Sequence, residues 1–407
     1  MAPFLTLDRL APKGRRVLVR VDFNVPMQDG EITDATRIER AAATLLELCR
    51  GGARVVVLSH FGRPKGRRQP AMSLRPVAPV LEAVLARPVA FGEDCVGPAA
   101  RTVVEGLGDG EVALLENLRF HPGEERNDPD FAAALAELGE VYVNDAFSCS
   151  HRAHASITGL ADRLPAYAGR LLEAEVRALE RVLGGARRPT AALVGGAKVS
   201  TKLAVLDHLT ARVDVLVLGG GMANTFLAAQ GLNLGRSLVE REMVATAREI
   251  LAGAAERGCQ LMLPVDAVVA EELRPHAPTR TVAVAEVGER EMVLDLGPES
   301  VRRIQSRLGE VRTLLWNGPL GAFEVPPFER ATVEVARTVA ELTRKGRLES
   351  VAGGGDTVAA LAKAAVLDQF GYVSTAGGAF LEFIEGKTLP GLAALARAAE
   401  RGPRDSR

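Results

Sequence analysis

Two parallel-sheet α/β domains, each doubly wound and joined by a hinge helix, are what this sequence predicts, on three observations. The chain has 407 residues, more than one hydrophobic core usually spans. Short Val/Leu/Ile runs alternate with stretches of helical periodicity along nearly its whole length. Those runs are continuously apolar, the pattern of strands buried on both faces of a parallel sheet.

In the first half, strands are expected over 16–21, 53–59, 88–91, 112–116 and 141–144. In the second they are expected over 190–194, 213–218, 260–263, 312–316, 349–352 and 372–374. Helical periodicity covers 36–50, 73–86, 131–139, 200–211, 241–257, 331–343 and 356–364. Between the halves, "AYAGRLLEAEVRALERVLGGARRP" (166–189) reads as one long amphipathic helix, stopped by Gly184-Gly185 with Pro189 beyond. The domain boundary is placed there, with residues 1–168 in the first domain and 169–389 in the second, helix 166–185 included. An ordinary surface helix inside a single domain would leave the same pattern.

Apolar residues make up 47% and charged residues 25%, with a net charge of −1. A partner such as DNA, RNA or anionic lipid would favour a basic excess, so no nucleic acid and no membrane is expected, and any anion site must be a local cluster. Cys49, Cys95, Cys149 and Cys259 are widely separated, which gives neither a zinc site nor a disulfide framework. The first residues lack the apolar core of a secretion signal, and no window approaches the ~20 apolar residues of a membrane span. A cytoplasmic location is expected.

Ligands of open α/β sheets gather at the carboxyl ends of the strands. In the first half those ends carry cations and hydrogen-bonding groups: Asp22 and Asn24 in "VDFNVP", His60 and Arg63 in "SHFGRPKG", Arg119 in "ENLRF", and His151, Arg152 and His154 in "SHRAH". Arg37 opens the next helix. Arginine grips phosphate or carboxylate with two parallel hydrogen bonds, so the cluster suggests a pocket for a small, doubly anionic molecule. Substrate hydroxyls would partner Asp22 and Asn24; turn-capping ahead of Pro26 is the other reading.

Strand ends of the second half carry glycine instead: "VGGAKVSTK" (194–202), "LGGGMANTF" (218–226), "WNGPLGAFE" (316–324), "AGGGDT" (352–357) and "STAGGAF" (374–380). Backbone N–H groups bared by glycine at helix starts make anion sites. Asp356 is a hard oxygen ligand of the kind Mg²⁺ takes beside nucleotide phosphates, or else a plain helix cap. Lys198 and Lys202, on another glycine-rich strand end, move the balance to a Mg-nucleotide. The P-loop pattern, a G-x-G-x-x-G after a strand, and the protein-kinase motif set are all missing from the sequence.

Together, "RVDFNVP", "SHFGRPKG", "LLENLRF", "NDAF…HRAHAS", "GGAKVSTK", "GGGMANTF", "LPVD", "WNGP…FE", "GGGDT" and "FLEFIEGKTLPG" resemble the phosphoglycerate kinase family, in its order and spacing across nearly the entire chain. The resemblance implies two Rossmann-like lobes, a monomer, and reversible phosphoryl transfer between 1,3-bisphosphoglycerate and MgADP, giving 3-phosphoglycerate and MgATP. It carries Asp22, Asn24, His60, Arg63, Arg119, His151 and Arg152 to the phosphoglycerate site. Arg37 and Lys198 go to the transferring group, and Lys202 to the nucleotide phosphates. Asp356 becomes the magnesium carboxylate, with Gly354, Gly355 and Thr357 in the same turn. Glu324 accepts the ribose hydroxyls, and Gly220, Asn317 and Pro319 line the nucleotide cleft.

The C-terminal segment 390–407 is expected to return to the first domain, and the stretch near 375–392 to share the hinge with helix 166–185. Ser148, Ala322 and Ala376 stand where glycine, valine and glycine are frequent in the family, which bears on affinity and closure. Both exchange partners are anions before transfer, so no general base is expected, only orientation, charge stabilisation and lobe closure. A kinase for another small carboxylate and a non-catalytic scaffold are the competing readings. Retention of Arg37, Lys198, Lys202 and Asp356 together speaks against the scaffold.

Overall fold

The computed structural model describes residues 4–184 and 187–402. The chain divides into two compact units, Met1–Arg177 with Thr388–Arg407, and Ala178–Lys387.

The first unit is built on strands β1 (Arg16–Arg20), β4 (Arg54–Leu58), β5 (Val89–Gly92), β6 (Val112–Leu115), β7 (Val141–Asn144) and β8 (Ala166–Ala168), with a small hairpin of β2 (Met27–Gln28) and β3 (Glu31–Ile32). The six parallel strands run in the order β5-β6-β4-β1-β7-β8. Its helices are α1 (Thr36–Arg50), α2 (Val77–Leu85), α3 (Gly97–Glu105), α4 (Pro129–Ala136), α5 (Leu160–Arg163) and α6 (Arg170–Leu183), the last divided between the units after Arg177. Continuous Val/Leu runs follow from burial on both sheet faces, and β4, β6 and β7 are buried at almost every position.

The second unit holds a parallel sheet of β9 (Thr190–Val194), β10 (Val215–Leu218), β11 (Gln260–Met262), β15 (Thr313–Asn317), β16 (Glu349–Gly353) and β17 (Tyr372–Ser374), in the order β11-β10-β9-β15-β16-β17. Beside it lies an antiparallel sheet of β12 (Asp266–Ala270), β13 (Arg280–Ala283) and β14 (Met292–Leu296). The helices are α7 (Leu203–Thr210), α8 (Gly220–Ala229), α9 (Val244–Glu256), α10 (Pro298–Leu308), α11 (Arg330–Arg344), α12 (Gly355–Lys363) and α13 (Gly377–Ile384); α14 (Pro390–Glu400) belongs to the first unit. Val335 and Val339 of α11 pack with Ile304 of α10 and with Leu314 and Trp316 of β15. Each such side chain removed from water contributes roughly 1.5–3 kcal/mol.

The eleven expected strands all form, within two residues of their expected ends. Two expectations are corrected. The helix expected over 166–185 begins only at Arg170, because Ala166–Ala168 form β8, pairing with β7 in register Tyr142↔Ala166. Its far end is a turn at Gly184, and Gly185 lies outside the described residues. The antiparallel sheet was not expected; its strands mix buried, half-buried and exposed positions and lack the unbroken burial of the parallel strands.

Candidate active site

In the first unit, the strand ends meet around a buried cation the motifs did not single out. Arg20 ends β1 at 1% exposure. Its Nε donates to Ser156 Oγ (2.8 Å), Nη1 donates to the Val21 carbonyl, and Nη2 approaches His60 Nδ1 (3.1 Å). Guanidinium only donates, so His60 Nδ1 accepts and its proton sits on Nε2. Burial and the Arg20 charge push the His60 pKa well below its ordinary value. His60 is thus a neutral N–H donor, and its 3.9 Å approach to Asp22 Oδ1 is not an ion pair.

Asp22 is the hub of the predicted residues. Its Oδ2 accepts from Arg37 Nη1 (2.6 Å) and Ser148 Oγ (2.6 Å), and its Oδ1 accepts the Asn24 N–H (3.1 Å). Burial acts to raise its pKa, but the Arg37 charge, the Ser148 hydrogen bond and the Arg20 charge carry it below the usual value. Asn24 Oδ1 in turn accepts the Gly62 N–H (2.9 Å), and Arg119 Nη1 donates to the Gly62 carbonyl (2.8 Å). One continuous chain of contacts therefore joins the loops after β1, β4 and β6.

Arg119 is buried, and its Nε, though 3.2 Å from Glu125 Oε1, makes no hydrogen bond. Burial first, then Arg20 and Arg152 as like charges, lower its pKa. Arg152 Nε donates to His151 Nε2 (3.2 Å). Buried His154 is pushed down to about 3 by desolvation and by Arg20, Arg119 and Arg152. Cations converge here, on a surface suited to an anion. Arg63 alone among the predicted residues joins none of these contacts: it is exposed.

Sequence reasoning missed Arg20, and also Glu124, which accepts Ser156 N (2.9 Å) and Oγ (2.6 Å) beneath it. The signal was present: a charge inside the apolar run "RVLVRV" must be partnered if the strand is buried.

In the second unit, the ends of adjacent strands β9, β15 and β16 are strapped together. Lys202 Nζ donates to Asn317 Oδ1 (2.6 Å), the Gly195 carbonyl (2.7 Å) and the Asn317 carbonyl (3.2 Å). Asn317 Nδ2 reaches the Gly353 carbonyl (2.8 Å), and Thr357 Oγ1 accepts the Gly318 N–H (2.7 Å) while donating to Gly353 (2.8 Å). Asn317 and Thr357 are buried and engaged in these contacts. A Cβ on Gly195 would lie 1.8 Å from the Pro319 carbonyl, so only glycine allows this crossing. Gly354, at φ +100, opens α12, with Gly355 as its first residue.

Burial lowers the Lys202 pKa from 10.5 to about 8, with Asp356 opposing. A lysine depressed on folding binds fewer protons than the unfolded chain between those two values, so its contribution to stability rises with pH across that window. Acylation of Lys202, followed by mass spectrometry across a pH series, is expected to rise through a midpoint near 8 in the free protein. Phosphate anions favour the ammonium, so saturating MgADP moves that midpoint upward; an unmoved midpoint would detach Lys202 from the nucleotide.

Beside this strap lies a cavity of about 340 Å³, lined by Gly220, Pro319, Glu324 and Asp356 among the predicted residues. Leu238 and Leu273 also line it; they are the large hydrophobic residues most exposed among those described. Exposed leucines flanking a cavity suit a flat apolar group, and glycine backbone with a cation beside it suits phosphates. Nothing in the sequence distinguished these leucines from ordinary loop residues. Lys198 is exposed, on the same turn as Lys202. Asp356 is an exposed carboxylate at a helix start and belongs to no cluster of three metal-ligating side chains among the described residues. That donor set fits Mg²⁺ held by one carboxylate together with substrate phosphates.

A cation-rich site on one parallel-sheet unit and a glycine-walled, nucleotide-sized cavity on the other define a phosphotransferase. A sequence model of the family described as "Phosphoglycerate kinase" matches residues 7–387. Curated relatives carrying that name include one from Granulibacter bethesdensis, 60% identical over 96% of this chain and 99% of the relative. Another, from Methylorubrum extorquens, is 58% identical over 97% and 99%. The solved phosphoglycerate kinase of Coxiella burnetii is 42% identical, with a TM-score of 0.91 over 98% of this chain and 100% of that one. That of Pyrococcus horikoshii is 31% identical, with a TM-score of 0.82 over the same shares. The chain belongs to the phosphoglycerate kinase family.

Proposed function

We propose that this enzyme transfers the acyl phosphoryl group of 1,3-bisphosphoglycerate to MgADP, reversibly giving 3-phosphoglycerate and MgATP. The bond from the acyl oxygen to phosphorus breaks, a bond from a β-phosphate oxygen to the same phosphorus forms, and no proton changes hands. The observation that carries the proposal is the pairing of inventories: Arg37, Arg119 and Arg152 with neutral His60 on one unit, and Lys198, Lys202 and Asp356 with glycine backbone on the other. No side chain in either set is required as a base, and a neutral His60 serves as a hydrogen-bond donor.

Phosphoglycerate binds through Asp22, Asn24, His60, Arg63, Arg119, His151 and Arg152. Arg37 leaves Asp22 for the phosphoryl group in flight, since a phosphate oxygen offers guanidinium the same fork as a carboxylate. Lys198 follows the transferring group. Lys202 exchanges a neutral carbonyl acceptor for a phosphate oxygen, and Glu324 takes the ribose hydroxyls of a base seated between Leu238 and Leu273. Asp356 would hold magnesium together with the substrate phosphates, and the bound ion would supply charge neutralisation on the diphosphate. Direct transfer entails closure of the units when both ligands are bound, with α6 and the stretch near 375–392 bending. A cytoplasmic monomer is the working state; among the described residues no helix is long and apolar enough to cross a membrane.

An assay with 3-phosphoglycerate, ATP and Mg²⁺, coupled to consumption of the acyl phosphate, is expected to give turnover that acetate, carbamate and aspartate do not support. Equal turnover with any of these would replace the assigned substrate. X-ray scattering is expected to give a smaller radius of gyration only when both ligands are present.

A further inference from the structure

The turn that carries Lys198 and Lys202 has little packing of its own; Ser200 and Lys198 are exposed, and Val199 alone is fully buried. What fixes it is a carboxylate from a distant loop. Glu240, at 7% exposure, accepts the Ser200 N–H on Oε2 (3.0 Å) and the Ser200 hydroxyl on Oε1 (2.5 Å). The Glu240 segment is itself tied to α8, the helix whose first residues, Gly220 and Gly221, line the cavity. Buried Thr225 Oγ1 accepts the Glu240 N–H (3.1 Å), and Asn224 Nδ2 donates to the Leu238 carbonyl (3.3 Å). Only Val239 separates the leucine on the cavity wall from the carboxylate that grips the lysine turn.

We propose that Glu240 is a positioning residue for phosphoryl transfer: it clamps the 198–202 turn to the segment carrying Leu238, so that both lysines are held in register with a nucleotide whose base rests on that leucine. This rests on the nucleotide reading of the cavity given above. The clamp works by hydrogen-bond geometry. Both Glu240 oxygens are engaged by one residue midway between the lysines, so its loss frees the turn without touching any group that meets the ligand. The buried carboxylate is kept below its usual pKa, against desolvation, by Ser200, Val199 and Lys198. The clamp therefore stays closed at neutral pH.

Three variants test it, with kcat, KM and calorimetric affinities for MgADP and adenosine. Glu240→Ala is expected to lower kcat about 10- to 100-fold, as ångström-scale misplacement of a charged group does. Its MgADP affinity should weaken roughly 5- to 10-fold while adenosine binding is unchanged, because only phosphate-facing groups move. Glu240→Gln should recover kcat to within about 5-fold of wild type, since its amide can accept the Ser200 N–H and donate to the hydroxyl. Ser200→Ala, which cannot threaten the fold, should lose about 3- to 10-fold in kcat at an unchanged melting temperature. Unchanged kcat in Glu240→Ala, equal weakening of adenosine and MgADP, or a Gln variant as poor as Ala would each overturn the proposal. Wild-type turnover in the same assay reports separately on the assigned substrate, and MgADP binding reads the clamp whichever carboxylate is the acceptor.

Discussion

Lys198→Ala is expected to reduce kcat by about 10³-fold while MgADP affinity changes less than about 3-fold, the pattern of a group that acts on charge developing in the transition state. The structure makes this a clean substitution. Lys198 is exposed, and its turn is held by contacts that do not use its side chain: Thr201 Oγ1 to the Lys198 carbonyl (2.9 Å), Lys202 N to the Val199 carbonyl (2.9 Å), and the Glu240 clasp on Ser200. The loop therefore survives the loss of the amine. Pre-steady-state and binding measurements on the same preparation check it, and undiminished turnover would remove Lys198 from the mechanism.

The second large effect is on stability. Arg20→Leu is expected to destabilise the first unit by about 3–5 kcal/mol, because it strands a buried carboxylate rather than because it loses a favourable contact. Glu124 is fully buried; burial raises its pKa, and Arg20 is the largest influence opposing that. Glu124→Gln added to Arg20→Leu should restore a good part of the loss by removing the stranded charge. Trp316 is the chain's single tryptophan and is buried in the second unit, so its fluorescence reports that unit selectively. Urea titrations should show an early transition in far-ultraviolet circular dichroism that tryptophan emission does not share. Coincident transitions, or no rescue in the double variant, would contradict this account.

Much of the architecture was legible because parallel strands buried on both faces leave an unbroken apolar signature: "VALL" and "VYVN" admit little else. What escaped lacks that signature. Ala166–Ala168 is three residues long and runs into a helix with only Gly169 between, so the helical period of the longer element absorbed it. Strands β12 to β14 show partial burial and no sustained alternation.

The candidate site divides in the same way. Asp22 and Lys202, in motif loops, and Arg37, near the start of α1, were named from the sequence and engage neighbouring side chains and carbonyls near strand ends. Residues that support them from within strands or distant loops, such as Arg20 and Glu240, become meaningful only through partners more than a hundred or about forty positions away. Asn317 and Thr357 illustrate the limit most directly: the motif identifies them, but their burial and their bonds to neighbouring strand ends appear only in the structure.

Helix α14 is threaded into the first unit through the Gly391 N–H on the Ser150 carbonyl (2.8 Å), Arg397 on Asp162 (2.9 Å) and Arg401 on the Ala161 carbonyl (2.6 Å). During synthesis the ribosome must therefore deliver the whole second unit, roughly 200 residues, before the first can be finished, an interval of about 10–40 s. Through that interval the wall formed by Ser150, Ala161 and Asp162 is bare, and a nascent chain stalled there offers chaperones a half-built unit whose strand-end loops lack their backing.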